Sequence, residues 1–85
     1  MKTRRHKERH KPDIPAIDAA LALVRAELIR ATSKYGPFHS PHEGYGVIAE
    51  EFDELLDEIR ANKRRRQIKE AIQVAAMATR FIVDI

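Results

Sequence analysis

Apolar residues recur along this chain three or four positions apart, in three separate stretches, and nowhere alternate with polar ones over a strand's length. That period belongs to helices that pack on one face, so the fold is expected to be all-α, a compact bundle of three main helices. Ile17, Leu21, Val24, Leu28 and Ala31 make the first stripe, and Ala20, Leu23 and Ile29 widen it. Asp13 is a natural N-cap and Pro15 sits in the first turn, where its missing N–H costs nothing. Lys34 suits the last turn, and Gly36 and Pro37 stop the helix, which predicts a first helix over 14–34. Residues 35–40 form a loop. Ser40-Pro41-His42-Glu43 is a capping box. Ser40 accepts from the N–H of residue 43, and Glu43 reaches back to the N–H of residue 40. The second helix is therefore placed at 41–61. Gly44 and Gly46 weaken its second turn by about 1 kcal/mol each relative to Ala. Their presence predicts close approach of another helix or a ligand. A basic turn at 62–65 leads into a third helix from 66 to the end of the sequence.

Charge is segregated. Lys2, Arg4, Arg5, Lys7, Arg9 and Lys11 against Glu8 give the first eleven residues a net charge of +5, although the whole chain carries only +3. Residues 1–12 have no apolar periodicity and are expected to be a disordered basic tail, either a solvated terminus or an arm for nucleic acid. The folded domain is 13–85. There is no cysteine, which excludes disulfides, thiolate zinc sites and a cysteine nucleophile. The longest apolar run, Ala19–Val24, is six residues. No membrane span or secretory signal is expected, and the chain is placed in the cytoplasm.

On the second helix Ile48, Phe52, Leu55 and Ile59 fall in one narrow arc, the expected core face. Glu50, Asp53 and Asp57 lie opposite. Glu51, Glu54 and Glu58 run down one flank beside the core. Like charges at this spacing repel, so a cation should offset them. Two sources fit: the basic cluster Arg60, Lys63, Arg64, Arg65, Arg66 and Lys69 folded back as salt bridges, or a divalent metal, which takes oxygen ligands. The third helix is apolar over well more than half its circumference, which predicts burial through self-association into a homodimer or homotetramer that completes a four-helix core. Its one polar stripe, with Glu70, Gln73, Met77, Arg80 and Asp84, is expected to face the carboxylate flank of the second helix.

Glu50-Glu51-Phe52-Asp53-Glu54 matches EExxE, and Glu70-Ala71-Ile72-Gln73 follows on the next helix. With Ser40–Glu51 leading into it, this pattern resembles the MazG-type all-α nucleoside triphosphate pyrophosphohydrolases, whose signature is EExxE followed by ExxD. The likeness spans about residues 14–84. It implies Mg2+-dependent cleavage (Mn2+ as an alternative) of an NTP to NMP and pyrophosphate. Carried over, Glu51, Glu54 and Glu70 would hold metal. Gln73 stands where the family has Asp and offers an uncharged amide oxygen, and Glu58 is a substitute carboxylate. Glu50 and Glu54 are the catalytic candidates as proton acceptors. Lys34, Lys69 and Arg80, with Arg66, are the candidates for binding phosphate. His39 and His42 flank the second helix's start, where N–H groups favour anions. The resemblance also implies a fourth helix, frequent in the family, for which this sequence offers no counterpart, so part of the nucleotide pocket is expected to be absent or supplied by a partner subunit. The other class of function left open is a non-catalytic helical module that binds a nucleotide, nucleic acid or protein.

Overall fold

The computed structural model describes residues 10–85, and most of the basic tail, residues 1–9, lies outside them. His10–Asp13 are exposed and have no regular structure. The described residues form three helices: α1 (Ile14–Tyr35), α2 (Pro41–Arg60) and α3 (Arg64–Asp84). None is long and apolar enough to cross a membrane.

The helix ends follow local chemistry. Asp13 caps α1 by accepting from the Ala16 N–H at 3.0 Å. Gly36 ends the helix with φ +75°, a conformation that glycine adopts without a Cβ penalty, and its N–H donates to the Thr32 carbonyl. Ser40 accepts from the Glu43 N–H at 3.1 Å. The returning half of the capping box differs from expectation: the Glu43 carboxylate accepts from the N–H of His39 at 2.5 Å, one residue earlier than residue 40. At the far end of α2, Asn62 takes a left-handed φ of 59°. The Asn62 N–H donates to Ile59 and the Lys63 N–H to Glu58, which is the paired bonding of a Schellman turn. That turn is tight, so α3 begins at Arg64 and not at 66.

α3 is the central helix. α1 and α2 pack against it rather than against each other. α2 runs antiparallel to α3, with Glu58 beside Arg66 and Gly44 beneath Phe81. α1 runs parallel to it, since Glu27 lies near Lys69 and Gln73 while the Gly36 carbonyl meets Arg80. The core is small. Ala31, Phe38, Ala76 and Met77 are buried, and Val24, Leu28, Val47, Ile48 and Phe81 pack around them. Fully burying a side chain such as Phe38 or Met77 is worth about 1.5–3 kcal/mol.

Two expectations about faces are corrected. α2 turns its carboxylate flank toward α3: Gly44, Val47, Ile48, Glu51, Leu55 and Glu58 are buried or half-buried, whereas Phe52 and Ile59 are exposed. The cause is Gly44. A Cβ there would lie 2.6 Å from the Phe81 ring, so the missing side chain admits Phe81 and rolls α2 about its axis. Gly46 has nothing within 4 Å, so close approach occurs at Gly44 alone. The second correction is on α1. Every residue from Ile14 to Leu23 is exposed, Ile17 and Leu21 included, because α1 extends past the start of α3 and only Val24, Leu28 and Ala31 of its stripe find a partner.

Candidate metal centre

α3 turns its polar stripe inward. Gln73 and Asp84 are half-buried, Met77 and Arg80 are buried, and all lie on the side facing α1 and α2. Together the three helices bound an open cleft of about 590 Å³ whose lining includes Arg30, Glu43, Glu50, Glu51, Glu70 and Arg80. Ala31, Phe38, Val47 and Met77 give it an apolar floor.

The carboxylates of Glu51, Glu54 and Glu70 converge here, with one oxygen of each within 4.8 Å of the others. Antiparallel packing brings Glu70 opposite the Glu51–Glu54 turn of α2. No cation lies within salt-bridge distance of the three among the described residues. One oxygen of Glu70 is buried with no hydrogen-bond partner. Desolvation pushes the Glu51 carboxyl up to about 7, and the neighbouring charge and hydrogen bond of Glu54 add to it. Glu70 is raised by burial first and then by Glu54, while Lys69 opposes the shift. Close packing of these carboxylates thus disfavours the charged forms of Glu51 and Glu70. The residues fit a hard divalent cation, because such an ion would satisfy the orphaned Glu70 oxygen and the clustered charge together.

The other candidates divide. Glu58 is close enough to raise Glu70, and Arg66, 4.0 Å away, is the one member of the basic cluster that reaches a carboxylate among the described residues. Glu50 is exposed on the cleft rim. Gln73 lines the cleft and lies near enough to Glu27 on α1 to help lower that carboxyl. Lys34 is exposed and lies 5.2 Å from the centroid of the Tyr35 ring, outside the cleft lining. Lys69 is exposed near Glu27 and Glu70. His39 lines the cleft and lies 3.5 Å from Glu43, whereas His42 belongs to the opposite, outer side of α2.

Arg80 is engaged within the fold. It donates to the Gly36 carbonyl at 2.5 Å and to the Met77 sulfur at 3.5 Å, and it stacks 4.0 Å from the Phe38 ring centroid. Its Nε is buried without a hydrogen bond, 3.9 Å from Asp84. Asp84 in turn accepts from the Phe38 N–H at 2.9 Å. Arg80 and Asp84 thus clamp the α1–α2 loop onto the end of α3.

Glu27 and Arg30 were not legible as site residues. The Arg30 guanidinium grips Glu27 with two nitrogens, at 2.8 and 2.6 Å, and holds its carboxyl below the usual range. An i,i+3 Glu–Arg pair reads as an ordinary surface bridge, and only the packing of α1 on α3 sets it beside Gln73.

Comparison of the chain with known protein families, curated proteins and solved structures finds no match.

Proposed function

We propose that this protein is a MazG-like nucleotide pyrophosphohydrolase that uses Mg2+, or Mn2+, to cleave an NTP to NMP and pyrophosphate. The observation that supports it is the convergence of Glu51, Glu54 and Glu70 within 4.8 Å, with a buried Glu70 oxygen left unpartnered. These three residues would hold the ion, with Glu58 one turn farther along α2. When bound, such an ion neutralises phosphate charge and lowers the pKa of bound water. The chain supplies the rest. Glu50, on the cleft rim, and Glu54, both exposed, would accept a proton from water. Lys69 is exposed, whereas Arg30 on the cleft wall is paired with Glu27. Arg80 shapes the cleft through Gly36 and Phe38 more than it offers a free cation. In this reading the protein works in the cytoplasm as a homodimer or homotetramer, and the basic arm leaves nucleic acid as a further partner.

A second reading, a non-catalytic module that binds a nucleotide, nucleic acid or protein, has one observation in its favour: the cleft-lining residue at 73 is Gln, so the triad lacks a fourth carboxylate there from α3. Pyrophosphate release from a panel of NTPs with Mg2+ separates the two. The enzyme reading expects release that disappears in Glu54→Ala. Mg2+ binding with no release from any NTP would favour the binding module.

A further inference from the structure

The cleft has two unlike ends. One holds the carboxylates of Glu51, Glu54 and Glu70. The other is walled by Tyr35, Pro37 and Phe38, at and just past the end of α1, and by Glu43 in the first turn of α2. Glu43 stands eight residues before Glu51, about 12 Å along the axis at a rise of about 1.5 Å per residue. Tyr35 is 63% exposed where it lines the cleft, so its ring is open to a stacking partner beside the apolar floor. The Glu43 side chain is also open to the cleft, yet it is held in place. Its Oε1 accepts from the His39 N–H at 2.5 Å and lies 3.5 Å from the His39 Nδ1. Its Oε2 has no hydrogen-bond partner among the described residues.

We infer that this end of the cleft reads the base of the nucleotide and selects guanine, with Glu43 as the specificity-determining residue and Tyr35 as the stacking surface. The inference rests on the pyrophosphohydrolase reading for one step, the placing of the phosphates at the acidic triad with its cation. Phosphates are repelled from the Glu43 end by its carboxylate, so the base falls there. The span of about two helical turns favours the longer purines over pyrimidines. A carboxylate offers acceptors only. Guanine places two donors side by side on its Watson–Crick edge, N1–H and the 2-amino group, at the spacing of two carboxylate oxygens. Adenine and cytosine turn a ring-nitrogen acceptor to the same place, and uracil flanks its single N–H with two carbonyls. Each of these sets lone pairs against lone pairs. A site built to hydrogen-bond one partner rejects a partner that leaves it unpaired far more strongly than an apolar pocket rejects a misfit. Stacking on Tyr35 adds affinity without selecting, because every base has a π-face.

The test is calorimetric titration of the full chain with GMP, IMP, AMP and UMP in Mg2+, beside pyrophosphate release from GTP and ATP. GMP is expected to bind at least tenfold tighter than AMP or UMP, with IMP, which lacks the 2-amino group, in between. Glu43→Gln keeps the acceptor for the His39 N–H and turns an amide N–H2 to the cleft. It should weaken GMP at least tenfold and leave AMP unchanged or tighter. Tyr35→Ala, by contrast, should weaken all four by a similar factor. Equal affinity for GMP and AMP, an unchanged GMP-to-AMP ratio in Glu43→Gln, or no binding of any of the four overturns the inference. The two readings fail separately. Selective GMP binding with no release from GTP removes the pyrophosphohydrolase and leaves guanine recognition standing, whereas equal release from GTP and ATP that Glu43→Gln does not alter does the reverse.

Discussion

Replacing Glu51 by Gln removes one charge from the acidic cluster and tests whether the three carboxylates oppose one another. Two unit charges 4.8 Å apart repel by about 3.5 kcal/mol at an effective dielectric of 20 and by about 0.9 kcal/mol in bulk water. Glu54 is exposed, so water screens its share, and a net gain of about 1–2 kcal/mol is the reasonable magnitude for Glu51→Gln without metal. For a domain of this size each kcal/mol moves Tm by about 4–8 °C, so the variant should melt roughly 5–10 °C higher. The gain depends on pH. The folded-state carboxyl of Glu51 is raised from 4.5 to about 7, so between those values the folded state holds a proton that the unfolded chain has released. Stability from this group is present at low pH and is lost as pH rises through about 7. Glu27, whose carboxyl is lowered, has the opposite sign: its contribution disappears as pH falls below the normal carboxylate range. Thermal melts at pH 5, 7 and 8.5, in chelator and at fixed protein concentration, should show the wild type losing stability mainly between pH 5 and 7, with little further loss above, while Glu51→Gln loses less over the same interval. Mg2+ should reverse the order at pH 8.5, because an ion at 100 times its Kd adds about 2.7 kcal/mol to the state that binds it. Parallel pH profiles for the two proteins, with no response to Mg2+, would refute the reasoning.

Gly44→Ala should destabilise by about 1–2 kcal/mol in urea, since its Cβ would meet the Phe81 ring at 2.6 Å. Gly46→Ala, with open space around it, should instead gain up to about 1 kcal/mol of helix propensity. Arg80→Met should cost about 2–4 kcal/mol, read from the urea midpoint, because it orphans the Gly36 carbonyl and the buried Asp84. Gln73→Asp should lower stability in chelator, as a new charge would face both Glu27 and Glu70. It should also tighten Mg2+ binding by calorimetry and raise any pyrophosphate release; weaker Mg2+ binding would count against a metal role for this position.

The helix count and most helix ends were legible because they depend on local signals: Asp13, Gly36 and Ser40-Pro41 each solve a backbone problem within a few residues. The start of α3 was missed by two positions, because the turn ends on Asn62 in a left-handed conformation that asparagine tolerates. The carboxylate flank of α2 was legible from spacing, and its meeting with Glu70 followed from an antiparallel neighbour. The rotation of α2 was not. A helical wheel assigns Phe52 and Ile59 to the core on hydrophobicity alone, whereas the contact that decides is Phe81 over the bare backbone of Gly44, a long-range fit. Glu27 escaped notice and Arg80 was expected to bind phosphate for a related reason: only tertiary packing buries Arg80 against Gly36 and sets Glu27 beside α3.

The proposed divalent-cation site is formed by Glu51, Glu54 and Glu70. It is tested most directly by anomalous diffraction from a crystal soaked in Mn2+ at pH 8. A manganese peak is expected at coordination distance, about 2.0–2.3 Å from carboxylate oxygens of all three residues, with the inner oxygen of Glu70 among the ligands. No peak there, with Lys69 or an arginine of the 60–66 cluster folded onto the three carboxylates, would contradict it.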